Sequence, residues 1–577
     1  MLAARVLRVQ AVSDKLLPID DGGIAARHFH RDEKRIFLFA ASKYDELGRV
    51  ISRAINSVGT SWQFDALARA TTETNVLGTF AYTYDGPTNR LATVTYPNGQ
   101  TSEYAYFGNS GDRRLQTIHH RYPNAAMLSK FDYTYDPVGN IQTWRQQADT
   151  AAVTWSYGYD AADELVGAIK RDTDVVQTVL NRYAYGYDAA GNRTIEQIDD
   201  AVTGATFNVA NELVSRQASG KMVFKGTVSE PATVTVGTTP AVVSASNQFE
   251  AAVPVVSGSN SITITARDAS GNIATRQFTV PNTGSSGSFT YDANGNLTSD
   301  GTRTFEWDAR NQLLAVTVGT HRSEFAYDGQ QRRVHEVEKE NGITQSDTNA
   351  VWCQSEICEE RAADGTTITR RAFRFGEQIT GVSHYFATDH LGSVHDATDG
   401  SGILLARYAF DPWGRRTLAA GTDITRVGFT GHRWQSAESL WLSQYRALDS
   451  DIGRWINEDP LERLISRPGA PSFSMTPSGS ANALRFQQMF GHRPEINLYD
   501  YVENNPLNRR DSLGLWSSND TCKAGCVALG AACVTVCVTG FTTFGVVSIC
   551  TLFCTAAYES CIANCNYYCP VPPPAKR

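Results

Sequence analysis

Cysteine is the residue type most unevenly placed in this chain. Of 11 cysteines, only Cys353 and Cys358 precede residue 522, and the other nine lie between Cys522 and Cys569. Thiols of this density either pair as disulfides or hold metal ions. The tail spacing C-x3-C-x6-C-x3-C occurs twice, at 522, 526, 533 and 537 and at 550, 554, 561 and 565, with Cys569 left over. On a helix turning about 100° per residue, each set falls within about 60°. Each set is therefore one stripe on one helix, and residues 538–549, with Gly540 and Gly545, make the turn. Two antiparallel helices would pair the stripes in reverse order, as Cys522–Cys565, Cys526–Cys561, Cys533–Cys554 and Cys537–Cys550. Zinc is the competing use, but structural zinc sites favour paired ligands two to four residues apart with turns between them. Disulfides are the expectation, and they place the tail in oxidising surroundings. Cys353 and Cys358 fit neither a redox dithiol nor half a zinc ribbon, which leaves a local disulfide or two unpaired thiols. His390, beside Asp389, and His432 have no second His or Cys at metal spacing, so structural roles are expected and no metal or cofactor is implied. Asp459-Pro-Leu-Glu462 and Asp511-Ser-Leu-Gly514 are acids in turn tetrapeptides. Their spacing alone leaves open whether they cap turns or do chemistry together.

The body that carries these residues is of a different kind. The chain has 577 residues, room for roughly three or four domains. Apolar residues make up 41%, charged residues 19% and aromatics 10%, which excludes a mainly disordered chain. With 46 Gly, 24 Tyr and 25 Phe against 5 Met, strands and turns are expected rather than helices. The formal net charge is −8 with no basic domain, so nucleic acid is not an expected partner. Residues 1–10 are interrupted by Arg5 and Arg8 and contain no secretory apolar stretch. The expectation is export by a route that ignores such signals, or a chain that is part of a longer one.

Residues 40–330 carry a repeat: aromatic-x-Tyr-Asp, two small or polar residues, then Gly-Asn or Gly-Arg and an apolar residue. Tyr44-Asp45, Tyr84-Asp85, Tyr135-Asp136, Tyr187-Asp188, Tyr291-Asp292 and Tyr327-Asp328 are instances. Alternation in Phe131-x-Tyr133-x-Tyr135 puts the aromatics on one strand face. Asp followed by Gly-Asn is turn chemistry. Each unit is a β-hairpin that cannot bury its aromatic face alone, whereas stacked units can. Residues 219–281 break the pattern with strands expected at 222–228, 233–236, 248–255, 261–267 and 274–280. These read as a small immunoglobulin-like sandwich, either an adhesive or sugar-binding module or an outward spacer. Residues 463–495, rich in Pro, Ser and Gly, read as a long surface loop.

Three strings sharpen the assignment: Tyr385-Phe-Ala-Thr-Asp389-His390-Leu391-Gly392-Ser393; Phe429-Thr-Gly-His-Arg433 with Leu440-Trp-Leu-Ser-Gln-Tyr-Arg446 and Gly453-Arg454-Trp455; and Asn497-Leu-Tyr-Asp-Tyr-Val-Glu-Asn-Asn505-Pro506. With the repeats they resemble the Rhs family of tyrosine–aspartate repeat proteins, also found in insecticidal toxin complexes and teneurins, over about residues 40–515. The resemblance implies a hairpin array forming part of a hollow β-shell; with the inserted sandwich and the C-terminal Cys-rich α-hairpin read above, the chain is expected to be mainly β. The resemblance divides the chain into 1–39, an N-terminal segment; 40–218, shell; 219–281, insert; 282–382, shell; 383–515, the Rhs-associated core; and 516–577, a variable tail.

The resemblance also implies an aspartyl autoprotease built from paired Asp-Pro-x-Gly motifs. Asp459 and Asp511 match its two aspartates, Arg454 matches an arginine expected beside them, and the cut falls between Leu515 and Trp516. The chain departs from the motif at Glu462, where Gly is expected, and at Ser512, where Pro is expected. Two carboxylates held together cannot both ionise, so one serves as acid while the other activates water. On this reading the shell encloses its own tail and releases it as an effector, secreted or displayed at the cell surface. A secretion-system component, an immunity protein and a target-cell membrane would be partners. The tail has 35 residues without charge, from Ala524 to Tyr558, which suits either a stapled core or a membrane-active hairpin. Its only acids are Asp520 and Glu559, too few for an enzymatic toxin. The alternative is a non-cleaving surface protein whose repeats and insert bind a partner or carbohydrate.

The tail reading has a direct test. Mass-spectrometric mapping should find the four reversed bridges, each contributing about 2–4 kcal/mol. A Cys522–Cys526 bridge, or stoichiometric zinc on reduced thiols, would refute the ladder.

Overall fold

The computed structural model describes residues 8–11, 39–55, 58–353, 355–460 and 497–515. Glu462, the 463–495 loop, Trp516 and the tail with its Cys522–Cys565, Cys526–Cys561, Cys533–Cys554 and Cys537–Cys550 pairs lie outside the described residues.

The repeat turn sets the architecture. In Asp136-Pro-Val-Gly-Asn140, Asp136 Oδ1 accepts the main-chain N–H groups of Val138 (3.0 Å) and Asn140 (2.9 Å). The fourth turn residue lies in the left-handed region, Gly139 at φ 110° and Gly48 at 77°, which glycine enters without strain. The second carboxylate oxygen takes the side chain four residues on: Arg49 Nε donates to Asp45 Oδ2 at 2.6 Å and Asn192 Nδ2 to Asp188 Oδ2 at 3.0 Å. This is why Asp and Asn or Arg recur at fixed separation.

The tyrosine before each aspartate has a separate job. A bulge precedes it, as between Thr134 and Tyr135, Gly158 and Tyr159, and Gly186 and Tyr187. The extra residue lies on the return strand, as Gln142 does opposite the Thr134–Tyr135 step, so the alternation along Phe131, Tyr133 and Tyr135 is kept. That side chain leans onto the preceding hairpin, where its hydroxyl donates to a main-chain carbonyl. Tyr135 reaches Leu115 O (2.8 Å), Tyr159 reaches Ile141 O (3.0 Å) and Tyr187 reaches Leu165 O (2.8 Å). Arginines stack on the same row, with Arg69 over Tyr84 and Arg90 over Tyr106, each 4.5 Å from the ring centre. Hairpins are thus fastened to their neighbours in sequence.

The result is two long antiparallel meanders, one of 18 strands running to Leu213–Gln217 and Gly287–Ser288, the other of 14 strands from Thr290–Tyr291 to Arg416–Gly421. No α-helix occurs among the described residues. Between the meanders, residues 220–282 form two small antiparallel sheets of three and four strands. They pack over Val234, Val236, Phe249, Val253 and Ile262. Cys353 and Cys358 form a disulfide at the tip of the hairpin Ile343–Cys353 and Glu356–Ala362, which settles the two options left open for them.

The core region, following Gly421, packs against both meanders. Phe429, Trp441, Leu448, Trp455 and Tyr501 bury with Trp413 of the second meander and with Phe131, Tyr133, Trp144 and Trp155 of the first. Leu440, Leu442, Ile452 and Ile456 bury with Leu297, Phe305, Leu313 and Phe325 of the second.

The tyrosine ties can be weighed. Tyr159→Phe should lower stability by about 1 kcal/mol by leaving Ile141 O without its donor, read as a shift in the urea midpoint. No shift would mean the hydroxyl contributes nothing to holding hairpins together.

Candidate functional site

The two aspartates singled out above come together on one cation. Arg446 Nη2 lies 2.8 Å from Asp459 Oδ2 and 2.7 Å from Asp511 Oδ2. The three side chains are at most 2% exposed. The arginine expected beside the pair was Arg454, and here the structure differs. Arg454 Nη2 donates to Asn211 O at 2.6 Å and its guanidinium stacks on Tyr499 and Phe207. Arg446 immediately precedes the strand Ala447–Asp449, and Arg454 opens its partner strand Arg454–Trp455. Arg446 enters that pair from the side where residues 457–460 and 511–515 converge.

Local chemistry fixes Arg446. Ser443 Oγ accepts the Arg446 N–H (2.9 Å) and donates to Arg446 O (2.8 Å), closing a turn before the strand. Trp455 stacks under the guanidinium at 4.4 Å. Nε donates to Gly514 O at 2.7 Å.

Asp511 is held by its own turn. Oδ1 accepts the N–H groups of Gly514 (2.9 Å) and Leu515 (3.0 Å), leaving Oδ2 for Arg446. The turn closes with Ser512 in the proline position. Gly514 sits at φ 71°, and a Cβ there would run into Ser443 and lie 3.0 Å from Arg446 N. Below the turn, His432 Nε2 donates to Asp511 O at 2.9 Å, while Nδ1 pairs with Thr430 Oγ1 at 2.6 Å. Burial pushes His432 down to about 4, so it stays neutral near pH 7. His390 bonds Tyr133 Oη (3.2 Å) and Leu507 O (2.7 Å), joining the core region to the first meander.

Asparagines of the third string place the Asp511 segment. Asn505 Nδ2 donates to Asn140 Oδ1 (3.0 Å), Asn497 Nδ2 to Asn192 Oδ1 (2.9 Å) and Asn504 Nδ2 to Gly191 O (2.7 Å). Asn140 and Asn192 are themselves repeat-turn residues, so the string reads the turn row of the shell. Asp459 is placed from the other side, its N–H donating to Leu498 O at 3.0 Å.

The electrostatics follow from counting charges. Two buried carboxylates facing one guanidinium carry an excess negative charge if both ionise. Burial pushes the Asp511 carboxyl up to about 7, Arg446 opposes the rise and Asp459 adds to it. One proton is therefore retained near neutrality, the condition for one acid and one base within a pair. A cleft lined by Trp307, Gln312, Tyr327, Tyr445 and Asn457 reaches Arg446. Leu515 is bonded to Asp511; Trp516, across the expected cut, lies outside the described residues.

The sign of the pH effect is fixed. Asp511 titrates near 7 in the folded chain against an ordinary 3.8, so folding binds its proton more tightly. The stability this contributes is complete below about 4 and is lost as the pH rises through 7. Wild-type protein should therefore lose more thermal stability between pH 5 and pH 8 than Asp511→Asn, which cannot ionise. Equal losses would show that Asp511 does not hold a proton in the fold.

Comparison with known proteins agrees with this architecture. The family model "Teneurin YD-shell" matches residues 260–477. The chain is 25% identical over 242 residues to the "tRNA3(Ser)-specific nuclease WapA" of Bacillus spizizenii, covering 40% of this chain and 9% of that protein. It is 24% identical over 215 residues to the "Double-stranded DNA deaminase toxin A" of Burkholderia cenocepacia, covering 30% of this chain and 15% of that one. A crystal structure of TcdB2-TccC3-Cdc42 aligns over 83% of this chain and 31% of its own at 13% identity, with a TM-score of 0.29. The chain thus spans a small part of the toxin-like relatives it matches. Its tyrosine–aspartate hairpins, its two meanders and the family match over residues 260–477 mark it as similar to the YD-shell proteins of the Rhs family.

Proposed function

We propose that this shell protein cuts its own backbone between Leu515 and Trp516 and so releases its cysteine-rich tail. The observation that carries the reading is the shared guanidinium: Arg446 holds two buried carboxylates together, one titrating near 7, with the Leu515 N–H on one of them. In the cut, the Asp459 carboxyl takes a proton from water as the water oxygen bonds the Leu515 carbonyl carbon. The protonated Asp511 stabilises the oxygen that becomes negative, and the carbon–nitrogen bond breaks with a proton passing to the Trp516 amine. Arg446 is a positioning residue that keeps both carboxyls in place while their shared charge changes.

The relatives' names support the wider reading. Proteins named as a nuclease and a deaminase toxin are similar to part of this chain, and the tail is proposed as an effector peptide carried by the shell, secreted or displayed outside the producing cell. No helix of the described residues is long and apolar enough to cross a membrane. Membrane insertion, if the tail acts that way, would belong to residues 516–577. An immunity protein and a secretion-system component are proposed as its partners.

Intact-mass measurement of purified chain tests the cut. Wild-type protein should separate under denaturing conditions into a body ending at Leu515 and a 62-residue tail. Asp459→Asn and Asp511→Asn should each remain one uncut chain with unchanged near-ultraviolet circular dichroism. An uncut wild-type chain would overturn the proposal and favour a non-cleaving surface protein.

A further inference from the structure

Away from the aspartate pair, three potential metal ligands converge between the second meander and the core region. His321 and Ser323 lie on the strand His321–Tyr327, and Glu338 lies on the adjacent strand Arg333–Glu340, directly opposite Ser323. Positions two apart share a strand face, so His321 and Ser323 project together. Glu438 arrives from elsewhere, on the tight turn between Arg433–Gln435 and Leu440–Leu442 in the core region. One ligand atom from each of His321, Glu338 and Glu438 lies within 4.8 Å of the others. Two ligands on opposite sides of a small divalent ion, each about 2.0–2.2 Å from it, are separated by a span of this order.

The contacts among these groups are short for what they are. Ser323 Oγ lies 2.5 Å from Glu338 Oε2 and 2.5 Å from Glu438 Oε1. A hydroxyl has one proton, so it can donate to only one of the two carboxylates. His321 Nε2 is 2.9 Å from the same Glu338 oxygen and 3.4 Å from the same Glu438 oxygen. It too has one proton at most to offer in its neutral form. Ser323 is fully buried and the Glu438 side chain is 2% exposed, so water does not separate these charges.

The surrounding cations are engaged with other groups. Arg303 places Nε on Asp300, Nη2 on Asp449 and Nη1 on the main-chain oxygen of Glu438. Lys339 pairs with Glu324 at 2.7 Å. Glu340 adds a further carboxylate 3.4 Å from His321 Nδ1. The cluster is therefore rich in negative charge. A bound dication would supply the missing charge.

We propose that His321 Nε2, Glu338, Glu438 and the Ser323 hydroxyl form a divalent-cation site that pins the 436–439 turn of the core region to the shell wall. One imidazole with oxygen ligands suits Mn2+ or Zn2+ rather than a soft ion. The site lies on the contact between shell and core, so its occupant would be a structural tie.

Mn2+ is the probe, because any tail cysteine left reduced would compete for zinc. Full-length wild-type protein should bind one Mn2+ per chain by equilibrium dialysis and electron paramagnetic resonance, and its thermal midpoint should rise with Mn2+. His321→Gln and Glu438→Gln should each weaken binding by about tenfold or more, the scale on which a coordination sphere responds to loss of a supporting group. Half-exposed His321 serves if Glu438→Gln fails to fold. Wild-type protein that binds no stoichiometric Mn2+ would overturn the site, leaving a proton shared between the carboxylates. So would a folded variant that keeps wild-type affinity.

Discussion

Everything else in this molecule depends on one small interaction, an aspartate carboxylate closing its own turn. One oxygen takes two main-chain N–H groups, as Asp136 does with Val138 and Asn140. The other takes the side chain four residues on, as Asp45 does with Arg49. Because the turn is satisfied internally, each hairpin ends cleanly and the next begins in register. The last tyrosine before the turn then reaches the previous hairpin, as Tyr159 reaches Ile141 O. A single hairpin is marginal in water, whereas a row fastened through turn and hydroxyl buries a continuous face.

The same turn row serves as a template for the core region. Asn140 and Asn192 accept from Asn505 and Asn497, and this fixes where residues 497–511 run. With that segment fixed, Asp511 meets Arg446, and Arg446 meets Asp459. The pair at the centre of the molecule is therefore only as well placed as the shell wall beneath it. Its charge balance, two acids against one base in a dry setting, is unfavourable unless a proton stays. A structure that needed only stability would do better with apolar residues there.

The core region also closes on the second meander, and there the same excess of carboxylates recurs without an arginine. Glu338 and Glu438 share a serine hydroxyl and a histidine. Both clusters sit where the core region meets the wall, since distant segments can bring charges together there that no local rule keeps apart.

Repeats, strand-and-turn content and the separate cysteine tail were legible in the chain because their causes are local. Turn capping acts over four residues and strand alternation over two, so Tyr135-Asp136-x-x-Gly139-Asn140 announces its own geometry. The bulge was not legible, since it depends on how the tyrosine lies against a neighbouring hairpin. Nor was the choice between Arg446 and Arg454, two arginines at one short strand pair whose side chains part toward Asp511 and Asn211. The resemblance named both aspartates, but only the fold could set them on one guanidinium, because they are 52 residues apart. The His321–Glu338–Glu438 cluster carried no signal at all, its third member lying about a hundred residues from the other two. Sequence determined what each hairpin is; tertiary structure decided which charges share a dry interior, because burial and long-range pairing depend on packing rather than on neighbours in the chain.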